Sequence, residues 1–301
     1  MMKIYSLTQI RYMGLAGSLL LVASSLFAIF HYGIAMSIDF TGGVVVDVAF
    51  QTLSPATEIQ AMLSGVLAEW VTVEVGSSPA VWQLILPANA PLVDPQTIVS
   101  MFSQQTQSPV ELIQATVIGP QVGEELYSQG GLALMAASLS IMIYLAMRFE
   151  WRLALAAIAS LIHDAIITLG LLAVLGVNMD LNVVAGLLAV IGYSLNDSIV
   201  IADRLRDVLK ARPDADIYSS TDLAVKATFS RTLITAGTTL FTIGCLLILG
   251  GEALYGFSIT LFAGVVTGTW SSVTIASTVQ ELLGLNPIHY QPRPDLVDDM
   301  P

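Results

Sequence analysis

Apolar residues run almost unbroken through six stretches of this chain, and they give way to short alternating segments in one place. The six run at about Met13–Met36, Gln129–Met147, Trp151–Gly176, Leu181–Ala202, Thr232–Leu249 and Tyr255–Val279. At roughly 20 residues each is long enough to cross a bilayer as a helix. Lys3 and Arg11 precede the first, and Ala35 resembles a cleavage site, but the apolar part exceeds a signal-peptide core. It is read as an uncleaved span.

Between the first and second spans the period shortens. Val44–Phe50 follows Gly42-Gly43 as a β-branched strand, and Ser54-Pro55 opens a helix from Ala56 to about Leu67. Val71–Val75 and Val81–Leu86 alternate as a hairpin around Gly76–Pro79. Asp94-Pro95 caps a helix to about Gln105, and Val110–Ile118 closes the series. The order β-α-β-β-α-β predicts a ferredoxin-like domain. The expected organisation is residues 1–36 as N-terminus and first span, 37–128 as the external domain, 129–284 as the remaining five spans, and 285–301 as a tail.

Charge sets the orientation. Hydrophobic residues make up 55% of the 301 and charged residues 11%, where soluble domains carry about a quarter. All eleven Lys and Arg fall on the side that a six-span layout makes cytoplasmic, whereas the insert holds no basic residue and nine acidic ones. By the positive-inside rule both termini are cytoplasmic and the insert lies outside. A net charge of −12 argues against nucleic-acid binding. The insert has no His or Cys, so no metal site is expected, and the single Cys245 is expected to be a small packing residue. No P-loop, nucleophile elbow or metalloprotease helix is present, so neither an enzyme activity nor a cofactor is expected.

Inside the fourth span stands Asp197, where a carboxylate costs several kcal/mol or faces a protein interior. It shares a helix face with Val190, Ser194 and Ile201, while Asn196 and Asp203 mark a neighbouring stripe. His163-Asp164 lies near the middle of span 3, and Asp203-Arg204 at the exit of span 4. Gly264, Gly268 and Ser272 put small residues on one face of span 6, free to pack within the chain or against a partner.

Ser37-Ile-Asp-Phe-Thr-Gly-Gly43, Leu161-Ile-His-Asp164, Ile191–Arg206, Ser230–Thr235 and Gly268–Ser272 together resemble the SecF subunits of the SecD/SecF protein-export family, within the RND transporter superfamily. The resemblance runs from about Ser37 to Ser277. It departs at Ser198, Ala202 and Trp270, where the family often has Thr, Phe and Tyr. It implies half of an RND-type assembly in the bacterial inner membrane, partnered by SecD, the SecYEG channel, YajC and unfolded preproteins. Proton flow would then drive the external domain to draw secreted proteins outward. On the family's pattern Asp197, Arg231, Thr235 and Asn196 are candidates for the proton path. His163, Asp164, Asp203 and Arg204 are candidate supporting residues, and Asp39, Gly42 and Gly43 a structural hinge. Two other readings stay open, half of a small-molecule or lipid exporter of that superfamily and a passive assembly factor of the Sec channel. The exporter reading requires an apolar cleft in the external domain or the bundle.

Overall fold

The computed structural model describes residues 6–50, 72–75, 81–87, 94–106 and 109–290. Its elements in chain order are α1 (Leu7–Tyr32), the single turn α2 (Ile38–Thr41), β1 (Gly43–Phe50), β2 (Thr72–Val75), β3 (Val81–Pro87), α3 (Pro95–Thr106), β4 (Val110–Ile118), α4 (Pro120–Arg148), α5 (Trp151–Leu175), α6 (Leu181–Ala211), α7 (Ile217–Leu249) and α8 (Glu252–Ser271). α8 runs on through a π turn, Ser272–Ala276, into Ser277–Leu282. Among the described residues six helices are long and apolar enough to cross a membrane. A six-span bundle with a small α+β insert is the expected architecture.

The four strands and the helix at Pro95 fall where alternation and the Asp-Pro cap put them. The predicted helix Ala56–Leu67 and the turn Gly76–Pro79 lie outside the described residues, as does the tail beyond 290. The sheet runs β2-β3-β1-β4 with antiparallel neighbours. That is the strand order of a ferredoxin-like domain. Val46 and Val48 point to one face and are fully buried with Trp82, Leu84 and Leu86 against Ile98 and Phe102 of α3. Asp47, between them, points the other way and accepts a hydrogen bond from Gln83 Nε2 at 3.0 Å. The period of two thus sorts apolar from polar.

The helices extend beyond their apolar cores because polar residues cap them. Ser6 and Gln9 form a reciprocal capping box ahead of α1. Pro120 opens α4 some nine residues before its apolar stretch, and Asp216 caps α7 through Ser219 N–H. α5, α6 and α8 form the centre of the bundle. Small residues set their approach, with Gly170 against Ser25, Gly186 against Thr260 and Gly14 against Thr274. The glycine face of α8 packs inside the chain, where Gly264 meets Val190 and Gly268 meets Ser194 of α6. Ser272, at the start of the π turn, is fully buried. Cys245 is exposed on α7 and so is not the packing residue expected of it. Phe241, Ile248 and Leu249 around it are also exposed.

Candidate functional site

Asp164 is the best-connected buried carboxylate of the bundle. Its side chain is fully buried, and three neighbours donate to it. His163 Nδ1–H reaches Oδ1 at 2.8 Å, while the Ser194 and Ser271 hydroxyls reach Oδ2 at 2.5 and 2.7 Å. Ser160 donates in turn to Ser271 Oγ at 2.7 Å. α5, α6 and α8 therefore meet at one acceptor, and they can do so because Gly268 leaves room for Ser194. With Nδ1 committed to Asp164, His163 Nε2 is buried and has no partner among the described residues.

Asp197 lies three residues beyond Ser194, about one turn along the same face of α6. It is 3% exposed. Among the described residues its Oδ2 has no hydrogen-bond partner, nor has the neighbouring Ser198 Oγ, and Thr232 of α7 faces the carboxyl. An unpaired buried polar atom costs about 1–3 kcal/mol.

The other candidates are placed differently. No ion pair joins Asp197 to Arg231 among the described residues. Arg231 is exposed. Its side chain lines a cleft of about 470 Å³ between α4, α6 and α7, together with Arg148, Asp203, Arg204 and Asp207. There Arg148 pairs with Asp203 at 2.9 Å, both nearly half exposed, so the contact contributes little to stability. Val200, three positions beyond Asp197, also lines this cleft. Asn196 is exposed, and the Thr235 hydroxyl returns to its own helix at Arg231 O and Thr232 O. At the end of α6 nearest the sheet, Asp39 Oδ2 accepts from Leu181 N–H at 3.1 Å, and Gly42 and Gly43 take positive φ of 71° and 151°.

Sequence reading missed the three serines around Asp164 as a group and a second buried cluster altogether. Arg11, fully buried on α1, donates Nε–H to Asp222 at 3.0 Å and Nη2–H to Glu281 at 2.8 Å. Nη1 reaches Ser277 O and Thr278 Oγ1. A polar residue on the internal face of an otherwise apolar helix was the available signal for the serines. Arg11 gave no signal beyond its charge.

The sequence profile "Protein export membrane protein SecD/SecF, C-terminal" matches residues 98–286, and the "SecD/SecF GG Motif" matches 27–52. The chain belongs to the SecD/SecF protein-export family. It is 37% identical over 294 residues to the protein translocase subunit SecF of Pseudomonas aeruginosa, covering 97% of this chain and 96% of that one. To the Vibrio alginolyticus SecF it is 37% identical, over 91% of this chain and 88% of the relative. The crystal structure of SecDF, a translocon-associated membrane protein, from Thermus thermophilus superposes with a TM-score of 0.84 at 28% identity, over 93% of this chain. A SecDF structure in a super-membrane-facing form gives 0.67 at 30% identity, over 91%. In each the chain spans 38% of the solved chain's length. With six apolar helices, this SecD/SecF member is a multi-pass membrane protein.

Asp164→Ala is expected to cost about 3 kcal/mol, since it strands the Ser194 hydroxyl and the imidazole in the interior and leaves the Ser271 hydroxyl only the longer bond to Gly268 O. Thermal unfolding in detergent measures it. A midpoint within a degree of wild type would mean that the three donors find other acceptors.

Proposed function

We propose that the chain is the smaller half of a SecDF-type assembly that uses the proton-motive force to assist Sec-dependent protein export across the bacterial inner membrane. It would work beside SecD, the SecYEG channel and YajC, on unfolded preproteins, with both termini cytoplasmic and the external domain outside. The observation that carries this reading is Asp197, a buried carboxylate with an unpartnered oxygen inside a span. The distribution of Lys and Arg supports the orientation. Protonation would neutralise Asp197, and its loss would restore a charge under the field of Arg231, so each proton would shift the preferred separation of α6 and α7. One charge crossing 100 mV supplies about 2.3 kcal/mol, enough to bias a domain equilibrium of a few kcal/mol. In this reading the chain needs no cofactor and performs no covalent chemistry.

Export is measured in membranes holding wild type or Asp197→Asn, at equal levels with the SecD partner, with the gradient present or collapsed. The variant is expected to assemble normally and to lose most of the gradient-dependent increment. Unchanged export with unchanged gradient dependence would leave the passive assembly-factor reading in its place. One observation favours the exporter reading, an apolar cavity of about 710 Å³ lined by residues such as Ile34, Tyr127, Leu134, Leu169 and Leu187. Gradient-driven efflux of an apolar dye by wild type, lost in Asp197→Asn while export is unaffected, would carry that reading instead.

A further inference from the structure

The buried carboxylates lie within the bundle and the sheet lies outside it, so any coupling between them must pass through a few residues. The chain reaches the sheet from α1 through α2 and Gly42-Gly43, and it returns from β4 through Gly119-Pro120 into α4. Three independent contacts converge on α2 and the residues just before it.

The first is polar. Asp39 caps α6 from outside, its Oδ2 accepting the Leu181 N–H at 3.1 Å, while the helix's own N-cap Asp180 accepts from Val183 N–H at 2.6 Å. Two carboxylates thus share the orphan donors of the helix that carries Ser194 and Asp197. Burial pushes the Asp180 carboxyl above its ordinary range; the Val183 hydrogen bond opposes this, and the charge of Asp39 adds to it. The second contact is backbone. Met36 and Met179 form a parallel bridge in which Ser37 N–H donates to Met179 O at 2.9 Å and Met179 N–H donates to Ala35 O at 2.7 Å. The third is steric. Gly123 of α4 lies so close to α2 that a Cβ there would stand 2.8 Å from Phe40 O and 2.9 Å from Gly42 N. The Phe40 ring meets Tyr127 of α4 edge-on at 6.2 Å. At its far end α2 passes directly into β1, where a Cβ on Gly43 would strike Leu86 O of β3.

We infer that α2 is the mechanical link between α6 and the external sheet, and that Asp39 is the positioning residue that keeps α2 seated on the α6 N-terminus so that the two move as one body. The inference rests on the proposed reading of Asp197 as the proton carrier. Asp39 itself carries no proton in it. Its cap gives a displacement of α6 a stiff path to β1.

The test uses the full chain without its native thiol (Cys245→Ala), reconstituted with its SecD-type half and the Sec channel, with proton flux and gradient-dependent export measured separately. Asp39→Ala is expected to retain Asp197-dependent proton flux while losing most gradient-dependent export. Asp39→Asn, whose amide oxygen still caps a helix, is expected to restore export. Met36→Cys with Met179→Cys, cross-linked across the bridge, is expected to export at the wild-type rate, because the joined parts travel together. Wild-type export in Asp39→Ala overturns the inference, and so does a cross-link that blocks export. Joint loss of flux and export in Asp39→Ala, unrelieved by Asn, also overturns it and moves Asp39 into the proton path. If Asp39→Ala fails to fold, the cross-linked protein still decides the matter. If wild type itself shows no gradient-dependent export, the reading of Asp197 fails first.

Discussion

Arg11→Met is expected to lower the stability of the purified protein by about 3–5 kcal/mol, the largest loss of any single side chain in the bundle. The guanidinium is fully buried and satisfies two carboxylates at once, with one donor to Asp222 and another to Glu281. Its removal leaves the Glu281 side chain, at 0% exposure, as a buried charge without its cation. Arg11→Lys is expected to recover only part of the loss, because one ammonium cannot reproduce the planar fork that spans both acceptors. Buried ion networks are often dispensable as sets although not as parts. The triple variant Arg11→Met, Asp222→Leu, Glu281→Met is therefore expected to regain most of the stability. Thermal unfolding of the four proteins in detergent checks the series. A triple variant no better than Arg11→Met would mean that α1 is held by the polar geometry itself.

Gly264→Ala is expected to have the largest effect of any packing substitution. A methyl group there would overlap both γ-carbons of Val190, which is 1% exposed and cannot turn away. α6 and α8 must then part, at about 1–3 kcal/mol for overpacking a close interface. The change also reaches the candidate site, since Ser194 follows Val190 by one turn and would be drawn away from Asp164. Gly268→Ala is milder, because its Cβ would meet Ser194 Cβ at 3.1 Å, a contact that a few tenths of an ångström relieves. Gly192→Ala meets nothing within 4 Å and serves as a neutral or slightly stabilising control. Pairing Gly264→Ala with Val190→Ala is expected to restore the approach and part of the stability. Unfolding midpoints that rank Gly268→Ala below Gly264→Ala would contradict the packing.

The architecture was legible because each part of it repeats a short-range pattern. Six apolar runs need no long-range information to be recognised as spans, and Val46 and Val48 flanking Asp47 announce a half-buried strand from three residues. Helix ends were less legible. α4 begins at Pro120 rather than near Gln129 because Glu124, Glu125 and Ser128 are helical without being apolar, and an apolar scan sees only the core of a helix. The site was legible only one residue at a time. Asp197 and Asp164 stand out as carboxylates in spans, but Ser194 and Ser271 reach Asp164 from 30 and 107 residues away. Arg11 meets its partners across 211 and 270 residues. No periodicity joins positions so far apart. Arg231 and Asn196 are each exposed in this chain, so their contacts depend on what covers them, which one sequence does not contain.

The sheet begins and ends at the same spot, for Gly43 at the start of β1 pairs with Ile118 at the end of β4. Antiparallel partners stand only about 5 Å apart. The two connections to the helices therefore leave the domain side by side, and on the proposed reading a tilt of α2 would carry the sheet with it without stretching either of them. The lateral reach of its far edge then depends on the length of the domain, and a small tilt at the base becomes a larger arc at the tip.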